Sequence, residues 1–69
     1  MNVEGIVKST KDRSKGYIFV SDKDGRDYFC HKSKVGRGVS FEALREGDKV
    51  RFEEEDGPKG PRAVDLELA

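Results

Sequence analysis

Lys15-Gly16-Tyr17-Ile18-Phe19-Val20-Ser21, a break at Asp24-Gly25, and then Asp27-Tyr28-Phe29-Cys30-His31 form the stretch from which the fold is read. Two short runs rich in aromatic and β-branched residues flank two residues that tolerate the positive φ of a tight turn, which is the pattern of an antiparallel hairpin. Side chains alternate along a strand. Tyr17 and Phe19 therefore share one face of the first run, and Ile18 and Val20 share the other. In the second run Phe29 and His31 lie together, opposite Tyr28 and Cys30. The hairpin thus has two apolar faces. One can line a core, to which Ile18, Val20 and the compact Cys30 are suited; the other is left to meet a partner or water.

Working outward, residues 5–10 are expected to form a first strand carrying Ile6 and Val7, with residues 11–14 a polar loop. Residues 32–46 hold Gly36 and Gly38 and few strong apolar positions, so a long ordered loop is expected, with room for a short helical turn at 41–45. Residues 49–53 alternate Val50 and Phe52 with charged neighbours, the clearest half-buried strand in the chain. Residues 56–61 contain two glycines and two prolines and read as a loop, because proline cannot donate to a sheet ladder. Val64, Leu66 and Leu68 then alternate as the inward face of a fifth strand. No segment has the length and period of an amphipathic helix, so the class is all-β.

The 69 residues are enough for one small domain spanning 1–69. Cys30 is the only cysteine and His31 the only histidine, which excludes an intrachain disulfide and a zinc site. No apolar run is long enough to cross a membrane. A monomer in the reducing cytoplasm is expected, with no cofactor, no metal and no small-molecule substrate. Net charge is zero, but residues 1–37 carry nine basic and five acidic side chains, whereas residues 38–69 carry five and nine. The acidic run 53–56 is expected to be a solvent-facing strand end that repels polyanions.

The basic half also holds the rings. Every nucleobase has a π-face, so aromatic side chains flanked by cations are what a single-strand groove requires. Lys8, Lys15 and Lys32 flank Tyr17, Phe19 and Phe29 in sequence. Periodicity alone leaves open whether these three rings are instead core. Lys59 and Arg62 border the Pro/Gly segment, where they either reach a phosphate or base or are simply solvated. His31 has no recognisable nucleophile or orienting carboxylate beside it, and no phosphate-binding glycine loop is present, so no catalysis is expected.

The blocks Gly5-Ile6-Val7-Lys8, Lys15-Gly16-Tyr17-Ile18-Phe19-Val20, Tyr28-Phe29-Cys30-His31-Lys32-Ser33, Phe41 to Phe52 and Gly57 to Ala63 resemble, in order, those of bacterial cold-shock proteins. The second and third correspond to that family's two ribonucleoprotein motifs. The resemblance implies a five-stranded antiparallel OB-type barrel, a cold-shock domain, binding single-stranded RNA or DNA on the outer face of the motif strands. A sequence-tolerant nucleic-acid chaperone or regulator of transcription or translation is the implied function. Residue by residue, it makes Tyr17, Phe19, Phe29 and His31 stacking rings, Phe41 a loop aromatic closing over a further base, and Lys8 and Lys15 basic flanks. The chain also departs from the pattern. Ser9 and Thr10 stand where the family has Trp-Phe, the following loop is one residue longer, Lys32 replaces an aromatic, and Ile18 replaces a glycine, altering how that strand bends. Fewer stacks imply micromolar or weaker affinity with a larger electrostatic share. The rival expectation is a protein-interaction module whose depleted aromatic face has lost nucleic acid.

Overall fold

The computed structural model describes residues 2–58 and 60–69. Its strands are β1 (Asn2–Ser9), β2 (Tyr17–Asp22), β3 (Asp27–His31), β4 (Lys49–Gly57) and β5 (Gly60–Leu68), with 3-10 turns at Arg13–Lys15, Lys32–Lys34 and Phe41–Ala43. The hairpin expected from the opening stretch is β2 and β3, in unbroken register from Tyr17 opposite His31, through Phe19 opposite Phe29, to Ser21 opposite Asp27. Ile18, Val20, Tyr28 and Cys30 are buried, and Tyr17, Phe19, Phe29 and His31 are half-buried on the outer face. Ile18 keeps this ladder regular while filling the core. Lys15 falls just outside the strand, in the 3-10 turn that Gly16 ends at φ 94°.

Asp22 holds the hairpin turn. One carboxylate oxygen accepts the N–H groups of Asp24 (3.0 Å) and Arg26 (2.9 Å), and the other accepts the Tyr28 hydroxyl (3.1 Å). Only Gly25 takes the positive φ expected of the Asp-Gly pair, at 85°. The Arg26 N–H foremost, with the other two donors, holds the Asp22 carboxyl below its ordinary value of 3.8 despite opposing desolvation. Burial, then the bond to Asp22, raises Tyr28 above 10.0. A carboxyl lowered by folding stabilises the fold above its unfolded value, and that contribution disappears as pH falls through the folded value. The urea midpoint is therefore expected to drop between about pH 5 and pH 2, with a shallower drop in Asp22→Asn, read by circular dichroism. Equal pH slopes in the two proteins would assign the acid sensitivity to other carboxylates.

The strands close in the order β1-β2-β3-β5-β4. Four seams are antiparallel, but β3 meets β5 in parallel, through Phe29 opposite Arg62, supplemented by a Val35–Leu66 bridge and the Gly36 N–H bound to the Leu66 carbonyl. The expected five-stranded barrel is thus antiparallel at every seam but this one. A closed ring with an odd number of strands cannot alternate direction at every seam, so one must be parallel.

Two expectations for the C-terminal half change as well. The loop foreseen at 56–61 is mostly hairpin arm, since β4 runs to Gly57 and β5 starts at Gly60, with Asp56 opposite Pro61. Pro61 is tolerated because the β3 seam beside it is reduced to one direct pair, so little ladder is lost with its N–H. In β5, Ala63 and Leu66 are buried, Val64 is half-buried and Leu68 is exposed, not the expected Val64/Leu66/Leu68 alternation. The pairing slips between Arg51 opposite Glu67 and Glu53 opposite Val64, and Asp65 takes φ 52°. That is a β-bulge, which shifts the inward phase by one residue and turns Arg62 outward.

Phe41 requires a correction too. It is 8% exposed and belongs to the core cluster with Leu44, Val50 and Phe52, so its ring is not presented to a ligand. In a 3-10 turn residues i and i+3 eclipse, so burying Leu44 carries Phe41 inward with it. Cys30 is fully buried, and burial pushes its thiol up to about 12, so it packs as a small hydrophobe.

Candidate nucleic-acid interface

Register on the barrel surface assembles the site. Ser9 of β1 faces Phe19 of β2, Phe19 faces Phe29 of β3, Phe29 faces Arg62 of β5, and Arg62 faces Glu55 of β4. One row thus crosses all five strands, and Tyr17 opposite His31 begins the next. The rings touch. Tyr17 and Phe29 centroids lie 4.8 Å apart at 33°, Tyr17 and Phe19 5.7 Å apart edge-on, and Phe19 and Phe29 6.0 Å apart edge-on. Each ring touches the other two, and Phe29 links the group to Arg62. The alternation that buries Ile18, Val20, Tyr28 and Cys30 is what holds these rings outside and half-buried.

His31 continues the patch. The Ser33 N–H donates to its Nδ1 at 3.2 Å, and the Ser33 hydroxyl oxygen is 2.9 Å from the same nitrogen. A nitrogen that accepts a backbone N–H is unprotonated, so in the neutral ring Nε2 carries the hydrogen. Nε2 lies beside Gly16, where an added Cβ would stand 3.8 Å from it and 3.7 Å from Cδ of Lys32. The Lys32 N–H also binds the Gly16 carbonyl at 2.8 Å, fastening the start of the 32–34 turn to the β2 entrance.

The cations surround the rings unequally. Lys8 is gripped through both carboxylate oxygens of Asp27 at 2.8 and 3.0 Å, and it borders a shallow depression shared with Ser9, Lys11, Phe19 and Asp27. Lys15 lies 3.7 Å from Asp12. Lys32 and Lys34 are exposed and have no acidic partner among the described residues. Exposed ion pairs are weak, so a phosphate can compete for Lys8 and Lys15. Ser9 and Thr10, which replace the family's strand-one aromatics, serve the loop instead: Ser9 Oγ accepts the Lys11 N–H, and the Thr10 N–H donates to Glu46.

Two shallow grooves meet at Phe29. One, of about 250 Å³, is lined by Phe29, His31, Ser33, Lys34, Arg62 and Ala63, and the other, of about 240 Å³, by Phe29, Pro58, Gly60 and Arg62. Of the eight residues expected at the site, the structure brings Tyr17, Phe19, Phe29 and His31 together, sets Lys8, Lys15 and Lys32 around them, and removes Phe41 to the core. It adds Arg62. The sequence left Arg62 open between reaching a phosphate or base and being solvated; the bulge at Asp65 turns it to the outer face beside Phe29. Lys59, also considered from sequence, lies outside the described residues. The acidic run is not simply solvated, since Glu54 pairs with Arg26 and Glu55 with Arg62.

Comparison with known proteins agrees with this geometry. The family profile of the 'Cold-shock' DNA-binding domain matches residues 3–69. The cold shock-like protein CspC of Buchnera aphidicola subsp. Acyrthosiphon pisum is 43% identical over 65 residues, covering 93% of this chain and 91% of its own length. CspC of Escherichia coli K12 is 43% identical over the same coverage. A major cold shock protein of Streptococcus pyogenes serotype M1 is 42% identical over 63 residues, 91% of each chain. A closed five-stranded barrel, an outer ring cluster on β2 and β3, and a profile match across nearly the whole length lead to one assignment: this chain belongs to the cold-shock DNA-binding domain family.

Proposed function

We propose that this protein binds single-stranded RNA or DNA on the outer face of β2 and β3, without strong sequence preference over most of the strand. It acts as a monomer of one domain, 1–69, in the cytoplasm, as a nucleic-acid chaperone or regulator of transcription or translation. The carrying observation is the contact group Tyr17, Phe19 and Phe29, half-buried on the surface and continued by His31. Rings on which bases stack must be open on one face and supported on the other, and each stacked base contributes roughly 1 to 3 kcal/mol. Binding energy for the open strand shifts a hairpin equilibrium toward unpaired nucleic acid without a nucleotide cofactor. The function is binding, not catalysis. No helix among the described residues is long and apolar enough to cross a membrane.

Ser9, Thr10 and Lys32 take positions where the family's pattern supplies rings, so charge carries a larger share. Titrating labelled oligouridine or oligothymidine by fluorescence at two salt concentrations tests this. A Kd of about 1 μM or weaker is expected. With about three phosphates engaged, affinity should fall with salt at a log–log slope near −2. Absence of binding at tens of micromolar in low salt contradicts the proposal, and nanomolar affinity indifferent to salt contradicts the charge argument.

A further inference from the structure

The row Phe19–Phe29 continues, strand by strand, into Arg62 and Glu55, which are ion-paired to each other through Arg62 Nη2 and Glu55 Oε1. Arg62 is seated, not dangling. A Cβ built on Gly57 would stand 2.6 Å from Arg62 Nε and 2.8 Å from its Cδ, so the missing side chain is the channel in which the arginine stem lies. Nε is buried and has no partner among the described residues, which leaves the terminal amino groups as the donors available to a ligand. Side-chain exposure is 37% for Arg62 and 45% for Glu55, so both heads reach solvent. Both grooves at Phe29 are also lined by Arg62, which puts the arginine beside whichever groove a base on Phe29 would enter.

We propose that Arg62 and Glu55 form a base-edge subsite that selects guanine beside the Phe29 stack; this rests on the single-strand reading above. Guanine offers the adjacent acceptors O6 and N7 to a guanidinium and the adjacent donors N1–H and N2–H to a carboxylate. No other standard base offers both. Adenine places its N6 amino group beside N7 and so opposes a donor with a donor, cytosine carries one exocyclic donor, and uracil and thymine have a single ring N–H. The Arg62–Glu55 pair presents donors and acceptors side by side. Neither the rings nor the lysines distinguish bases, so this pair supplies discrimination the rest of the surface lacks.

Fluorescence competition with a short oligothymidine, and with the same oligomer carrying one central guanine, adenine or 7-deazaguanine, tests the subsite. The guanine oligomer is expected to bind about fivefold or more tightly than the thymine and adenine oligomers, the lower end of what a bidentate contact discriminates. Removing N7 should erase most of that advantage in the unaltered protein, whatever the variants do. Within the Arg62→Gln variant the guanine and thymine oligomers should bind equally, whatever that change does to overall affinity, and Glu55→Gln, at an exposed position, should reduce the preference. Equal binding of guanine, adenine and thymine oligomers overturns the subsite and leaves single-strand binding intact. A guanine preference that survives 7-deazaguanine or Arg62→Gln overturns it as well, and failure to bind any oligomer overturns both readings.

Discussion

Truncating Phe29 to alanine is expected to weaken oligonucleotide binding by roughly ten- to a hundredfold while the barrel stays folded. Phe29 touches both other rings, 4.8 Å from Tyr17 and 6.0 Å from Phe19, and it lines both grooves that meet Arg62. Its loss removes one stacking platform and the lateral support of two others. Phe19→Ala, which lines neither of those grooves, should have the smaller effect. The ring is half-buried on the outside, so its loss should cost about 1 kcal/mol of aromatic contact and lower Tm by roughly 4–8 °C. Phe41→Ala is expected to show the reverse pattern, because a core phenylalanine contributes about 3–5 kcal/mol to stability. Fluorescence titration paired with thermal melts separates the two. Parental affinity in Phe29→Ala would remove the stacking surface from the argument.

The largest effect on the fold is expected at Gly5, where alanine should lower Tm by more than about 15 °C or unfold the domain at room temperature. A Cβ there would stand 2.0 Å from the Ser21 carbonyl oxygen, 2.8 Å from its carbon and 3.1 Å from the Asp22 Cα, all backbone atoms. No side-chain rotation relieves such a clash. Gly5 lies opposite Asp22 of β2 and opposite Val50 of β4 at once, so β1 cannot retreat from one neighbour without disturbing the other. The whole domain has only about 3–10 kcal/mol of stability at this size, and losing the two seams around β1 exceeds the lower end of it. Gly38→Ala is the control, since nothing lies within 4 Å of its Cβ and only the φ of 79° is strained. It should lower Tm by several degrees. If circular dichroism melts put Gly5→Ala no lower than Gly38→Ala, the β1–β2 contact is softer than these distances require.

Much of the site was legible because it is local. The Asp-Gly break and the paired runs around it placed the hairpin, and period-two alternation correctly separated Ile18, Val20, Tyr28 and Cys30 from Tyr17, Phe19, Phe29 and His31. The acidic run and the lysines were visible as composition, but not which of them pair. Lys8 with Asp27 and Arg62 with Glu55 meet only across strands. Phe41 was assigned to the ligand by the resemblance, whereas in the structure it joins Leu44, Val50 and Phe52 in the core cluster.

By itself, the sequence determined the β2–β3 hairpin, the division of its side chains between two faces and the all-β class, since alternation and turn chemistry are properties of a few neighbouring residues. Tertiary structure alone decided which hairpin face lines the barrel, the parallel β3–β5 seam, the inward turn of Phe41 and the place of Arg62 beside Phe29. The seam follows from closing five strands, and the bulge at Asp65 sets the phase in which β5 fills the barrel. Register between segments far apart in the chain is set by packing the shared interior, and no window along one strand contains that information.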